Sequence, residues 1–134
     1  MLVENASEFI NNSNIGIHTV SPDGIIQYAN EHELKILGYT EEEYVGHHVS
    51  EFQFDKSCLD QMMNKLEKFE SFSNFPAMVN GKDKILYILY NSSVYEVDGE
   101  FVHTRCYGNE ISENVYYACK LEYKKSLTMR VGKL

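Results

Sequence analysis

The sequence predicts an α+β fold in which a five-stranded antiparallel sheet carries helices over one face and terminal helices along the other. Three observations carry that reading. Two apolar runs, residues 15–20 and 25–29, are joined by the turn-forming Ser21-Pro22-Asp23-Gly24. Three further runs rich in β-branched and aromatic residues, 72–79, 85–96 and 101–107, are separated by Asn80-Gly81-Lys82-Asp83 and by Asp98-Gly99, which are hairpin signals. Between the two groups, residues 30–69 carry helical caps and helical spacing. At 134 residues, 43% hydrophobic and 24% charged, with two prolines, the chain has the size and composition of one globular domain.

Each element has its own local reason. Leu2, Val3, Ala6, Phe9 and Ile10 fall at helical spacing, and Asn11-Asn12-Ser13-Asn14 ends that lead-in helix. After the first hairpin, Asn30 is placed to cap a helix over Glu31 to Leu37, with Glu31 and Glu33 in its first turn and Gly38 beyond its end. Thr40-Glu41-Glu42-Glu43 has the form of a capping box, and Gly46 keeps that helix short. Asp55 opens the clearest helix, because Leu59, Met62, Met63, Leu66 and Phe69 share one stripe while Lys56, Asp60, Asn64, Lys65 and Lys68 lie off it. Ser112 caps a last helix expected to reach about Lys125. In the long strand, Leu86, Ile88, Tyr90, Ser92 and Val94 alternate with Ile85, Tyr87, Leu89, Asn91, Ser93 and Tyr95. Both sets are apolar enough that the outer sheet face needs a cover, either the terminal helices or a second subunit.

The net charge is −8, divided as −12 over residues 1–119 and +4 over 120–134. An acidic body repels phosphate backbones and argues against direct nucleic-acid binding. Cys58, Cys106 and Cys119 are odd in number and lack CxxC spacing, no basic-then-apolar leader opens the chain, and no run approaches the ~18 apolar residues of a membrane span. These features predict a cytoplasmic protein without a membrane partner.

Two stretches carry a family likeness. Gly16-Ile17-His18-Thr19-Val20-Ser21-Pro22-Asp23-Gly24-Ile25-Ile26-Gln27-Tyr28-Ala29-Asn30, followed by Leu37-Gly38-Tyr39-Thr40-Glu41-Glu42-Glu43-Tyr44-Val45-Gly46, resembles the opening half of PAS sensory domains. Gly99-Glu100-Phe101-Val102-His103-Thr104-Arg105-Cys106, leading into Asn109-Glu110-Ile111-Ser112-Glu113, is similar to the Asp-Ile-Thr-type ending that joins such domains to a signalling helix. Glu110 and Ser112 stand where Asp and Thr are commoner, and both keep an acceptor and a cap. The likeness spans about residues 8–113. It implies a sheet cupped by helices around a small cavity, used for sensing ligands or for association, with residues 1–14 as an N-terminal helix, 15–111 as the core and 112–134 as a signalling helix and tail.

The resemblance also orders the candidate chemistry. Flavin-binding relatives of the Cys-adduct type carry a reactive Cys in a turn that here reads Gly46-His47-His48-Val49-Ser50-Glu51-Phe52, without a thiol. Haem-binding relatives ligate iron with a His on the long helix, and residues 55–70 contain none. Both cofactors are therefore disfavoured, and the cofactor, if any, is unknown. Leu59, Met62, Met63 and Leu66 on the helix, Ile88 and Tyr90 on the long strand, and the smaller set Val102, Thr104 and Cys106 on the last strand are the expected pocket. Phe101, His103, Arg105 and Tyr107 are expected to face a helix or partner. Cys106 reads as a buried hydrophobe, because no base stands at motif spacing from it. Asn109, Glu110, Ile111 and Ser112 are the expected route of signal transmission.

Other clusters have simpler readings. The neighbouring His47 and His48 lack further ligands at metal spacing, and Glu41-Glu42-Glu43 is a solvated first helical turn. Phosphate-loop, zinc-protease and serine-hydrolase motifs are absent, so no catalytic machinery is expected. Tyr116, Cys119, Tyr123 and Leu127 have a roughly heptad spacing, too short to define a coiled coil. The sequence thus predicts a sensory module of bacterial-type signal transduction, non-enzymatic and homodimeric, passing a bound state through its terminal helices to an effector in cis or in trans. A ligand-free protein–protein adaptor is the alternative.

Overall fold

The computed structural model describes the backbone of residues 5–132 and side chains through residue 124. Helix α1 (Ala6–Asn11) is capped by Asn5, whose side chain accepts from the Glu8 N–H; Leu2 and Val3 lie outside the described residues. Strands β1 (Gly16–Val20) and β2 (Ile26–Ala29) form the first hairpin. The chain then leaves the sheet for α2 (Glu31–Leu37), α3 (Glu41–Tyr44), a 3-10 turn at Val49–Glu51 and α4 (Lys56–Glu67). It returns as β3 (Phe72–Asn80), β4 (Ile85–Val97) and β5 (Glu100–Ile111) before ending in α5 (Glu113–Gly132).

The five strands pair antiparallel in the order β2-β1-β5-β4-β3, so the first hairpin docks on the last strand and β5 lies at the centre. This is the predicted α+β architecture. Asp98 and Gly99, both with positive φ, turn β4 into β5, a conformation open to Gly and tolerated by Asp. The predicted caps form as read: Asn30 accepts from Glu33 N–H, and Thr40 and Glu43 complete a capping box.

Three boundaries differ from the sequence reading by more than one residue. Helix α4 ends at Glu67, and Phe69 follows it at φ 59 with half its surface exposed, so the buried stripe is Cys58, Leu59, Met62 and Leu66. Strand β5 runs beyond Tyr107 to Ile111 because its ladder with β4 continues as far as the Tyr87–Ile111 pair. Helix α5 continues past Lys125 to Gly132.

The core lies between the inner sheet face and α2 to α4, and contains Val20, Ile26, Leu37, Phe52, Leu66, Phe75, Val79, Leu86 and Ile88. Burying each such side chain stabilises the fold by about 1.5–3 kcal/mol. Gly108 of β5 sits beneath this layer, where a Cβ would come within 3.0 Å of both Ile88 and Tyr90. On the outer face, α5 lays Tyr116 against Tyr87, with ring centroids 4.9 Å apart, and at the β3 edge of the sheet Tyr123 meets the inward-facing Phe75 at 5.1 Å. Tyr116 is fully buried. The terminal helix is therefore what covers the β3–β4 part of that face.

Candidate functional site

Between α4 and the inner sheet face lies a cavity of about 50 Å³. Leu59, Met62, Met63 and Leu66 of α4 form one wall, and Tyr90 and Ser92 of β4, Thr104 and Cys106 of β5, and His18 of β1 form the other. Val49, Gln53 and Met63 of the lining are half-buried, so the cavity approaches the surface between the 3-10 turn and α4.

Seven of the nine pocket residues read from the sequence line this cavity, and two do not. Val102 is 39% exposed. It is the extra residue of a β-bulge, since Tyr95 pairs with His103 but Glu96 pairs with Phe101, and the insertion reverses the alternation of side chains on the Glu100 side. Phe101 accordingly turns inward onto Phe69 and the core. Ile88 does share the inner face with Tyr90 but sits further along the strand, over Gly108 and paired with Ala77, within the solid core. Asn109, Glu110 and Ile111 are the last residues of β5, and Ser112 caps α5 by accepting from Val115 N–H at 3.2 Å.

The polar end of the cavity is a chain of buried groups, of which Thr104 and Cys106 belong to the pocket read from the sequence and His18 and Glu33 do not. His18 and Cys106 are cross-strand partners of β1 and β5 and point to the same side. Glu33, on the inner side of α2, is 1% exposed and takes His18 Nδ1 at 2.6 Å. This leaves Nε2 as the ring nitrogen available to Cys106, the cross-strand partner of His18. The Thr104 hydroxyl accepts from Val20 N–H at 3.0 Å and lies 3.2 Å from Cys106 Sγ, so its own proton is free to be donated to sulfur. Tyr44 and Tyr90 present their rings edge-on to His18.

Electrostatics within this cluster is cooperative. Burial opposes charge on His18, yet Cys106 and Glu33 hold its proton well above the usual histidine range. Burial likewise opposes a thiolate at Cys106, but His18 and hydrogen bonds from Ser92 and Thr104 bring the thiol below its ordinary value. Cys58 is the contrast: burial and the neighbouring Asp55 push its thiol up to about 11. Tyr44 and Tyr90 are held protonated by burial and by Glu33.

Cofactor fit follows from volume and donors. An apolar cavity of ~150 Å³ takes one benzene ring, so this one admits only a few non-hydrogen atoms and has no room for a tricyclic flavin or a haem as it is formed. Gln53 is among the residues that line the cavity, and its Oε1 is buried without a hydrogen-bond partner, an acceptor open to any donor placed there. His47 lies 3.2 Å from Glu51, and His48 caps the 3-10 turn; among the described residues no group of three or more His, Cys, Asp or Glu is arranged to hold a metal. Among the described residues, too, no helix is long and apolar enough to cross a membrane.

A central β5 paired to both hairpins, a helical cup over one face and a helix leading off the last strand define an α+β module built around one antiparallel sheet. The PAS domain family model matches residues 14–120, and the chain belongs to that family. Solved structures share the fold at low identity. The PAS domain of an HTR-like protein from Haloarcula marismortui is 21% identical with a TM-score of 0.65, the alignment covering 76% of this chain and 85% of that one. The dark structure of the LOV domain of the blue-light photoreceptor aureochrome1 gives 17% identity and a TM-score of 0.74 over 94% of this chain and 99% of that one. A PAS domain from a two-component sensor histidine kinase gives 15% and 0.67 over 79% and 93%. No curated protein matches the sequence. PAS domains are in general sensory, non-enzymatic modules that often dimerise and couple to effector domains.

Proposed function

We propose that this PAS domain senses a small ligand of a few non-hydrogen atoms in the cavity beneath α4 and passes the bound state through β5 into α5, as part of a homodimeric, bacterial-type signalling protein with its effector in cis or in trans. The observation that carries this reading is continuity: Thr104 and Cys106 line the cavity, and the same strand runs without a break through Asn109, Glu110 and Ile111 to the Ser112 cap of the helix that covers the outer sheet face. A change in the cavity thus acts on the strand that carries α5. Coupling requires that the ligand bind one sheet–helix arrangement more tightly than another.

Native mass spectrometry of the purified chain, paired with hydrogen exchange over residues 113–124, tests it. A retained or added small molecule that alters exchange along α5 is the expected result. A chain that keeps its bare mass under a panel of small hydrogen-bond donors, with α5 exchange unchanged, would overturn ligand sensing and return the adaptor reading, which the small size of the cavity favours.

A further inference from the structure

The Cys106–His18–Glu33 chain is more than this reading needs. We propose that Cys106 is a peroxide-reactive thiol, oxidised inside the cavity by hydrogen peroxide or a hydroperoxide of similar size, with His18 as its proton carrier and Glu33 as the residue that positions His18.

Three observations carry the assignment. First, sulfur, imidazole and carboxylate stand in sequence, with Glu33 fixing Nδ1 at 2.6 Å and the cross-strand register holding the ring against the thiol. Such a relay activates a thiol by giving its proton a destination. Second, the sulfur lines a cavity instead of being packed on all sides, and that cavity has room for a molecule of a few atoms. Third, hydroxyl groups flank the sulfur: Thr104 Oγ1 lies 3.2 Å away, and Ser92, the cross-strand partner of Cys106 on β4, lines the same cavity. The unpartnered Gln53 Oε1 on the same cavity can accept a hydrogen bond from a guest O–H, which a peroxide supplies. The groups facing His18 come from every element around it: Glu33 from α2, Tyr44 from α3, Tyr90 from β4 and Cys106 from β5.

The step balances. The Cys106 proton passes to His18 Nε2, the thiolate attacks one peroxide oxygen, an S–O bond forms as the O–O bond breaks, and the departing hydroxide takes the proton from His18 and leaves as water. Sulfur is oxidised by two electrons to sulfenic acid and the peroxide is reduced. Cys58 is held protonated beside Asp55, and Cys119 stands half-exposed on α5 without such a relay, so the two serve as internal comparators.

The full chain is treated with limiting hydrogen peroxide in the presence of a sulfenic-acid trap, and the three cysteines are followed by peptide mass spectrometry. Cys106 is expected to be trapped first, although Cys119 is more accessible. An ordinary thiol is only a few per cent ionised at neutral pH, so complete ionisation is worth roughly tenfold to thirtyfold in rate. His18→Gln should therefore slow Cys106 by roughly tenfold at pH 7 and move the midpoint of its rate–pH profile upward, with Glu33→Gln intermediate. Circular dichroism identifies a variant that fails to fold, and the wild-type profile then carries the test alone, through a midpoint below the ordinary thiol range. A tertiary alkyl hydroperoxide should react far more slowly than hydrogen peroxide. Trapping of Cys119 ahead of Cys106, a wild-type midpoint in the ordinary thiol range, or equal rates with the bulky hydroperoxide would each overturn the proposal. None of these outcomes depends on a retained ligand or on α5, so they separate from failure of the sensing reading.

Discussion

Asn30 shows how much one side chain holds together here. It is fully buried, and its Oδ1 accepts from Ile17 N–H at 3.0 Å and Glu33 N–H at 2.9 Å. Its Nδ2 donates to the carbonyls of Ile10 and Ile15, both at 2.9 Å, and lies 3.1 Å from Ser13 Oγ. One amide therefore joins the end of α1, the start of β1 and the first turn of α2, the turn that carries Glu33. Asn30→Ala loses a helix cap and strands buried partners, a cost of about 2–4 kcal/mol in denaturant unfolding. Asn30→Asp keeps the cap but sets a carboxylate against three acceptors, and should destabilise at least as much; an Asp variant as stable as wild type would show that those three contacts contribute nothing. Glu43 works at the surface. A hydrogen bond from Lys82, with the Thr40 backbone N–H adding to it, lowers its carboxyl to about 2. A depressed carboxyl adds stability above the unfolded value of ~4.3 and loses it as pH falls toward the folded value. Between about pH 4.5 and 2 the wild-type unfolding midpoint should thus fall more steeply than that of Lys82→Met, with the difference shrinking in high salt. Parallel curves would refute the coupling.

At the level of elements, α5 depends on Tyr116. The ring is fully buried against Tyr87 and Tyr117, and Lys120 stands over it at 5.6 Å. Truncating a buried aromatic costs about 3–5 kcal/mol. Tyr116→Ala should release α5 from the sheet, raising hydrogen exchange over residues 113–124 by orders of magnitude while β1 and the centre of β5 keep their protection; uniform loss of protection would mean that α5 belongs to the cooperative core. Such elements were largely legible in advance, and the exceptions have physical reasons. Helices α2 and α3 announced themselves because a cap is a local contact, written within four residues. The inward face of α4 was legible from its period, apart from Phe69, which the helix end at Glu67 removes from the stripe. Val102 was misplaced because a single inserted residue reverses the faces of a strand, and nothing local in Phe101-Val102-His103 marks the insertion. The Cys106–His18 relay was invisible for a related reason. The two residues are 88 positions apart and meet only through the register of β1 against β5, which spacing along the chain does not encode.

For the whole molecule, α5 sets the terms of association. Its Tyr116 and Tyr123 are committed to the chain's own sheet, which leaves Val115, Tyr117 and Leu121 outward, the last two one helical turn apart and both more than half exposed. On the sheet, Tyr95, Val97 and Tyr107 are also partly bare. A stable interface buries roughly 800 Å² per partner, more than one short apolar stripe supplies, so the proposed homodimer needs these sheet residues together with the helix. Opposing it is the charge of −8 on each chain, concentrated as −12 on residues 1–119. Like charges several ångströms apart at a wet interface are screened by salt, whereas the apolar contact is not weakened by it. Association should therefore strengthen with ionic strength, the reverse of a salt-bridged interface. Light scattering across a salt series should show the mass moving from one chain toward two as salt is added, and Leu121→Glu should hold it at one chain throughout. Because Leu121 is exposed in the single chain, that variant should keep its unfolding midpoint, so the loss of dimer reads the interface and not the fold. A wild-type mass of one chain at high protein and high salt would leave α5 as a helix that serves its own sheet alone.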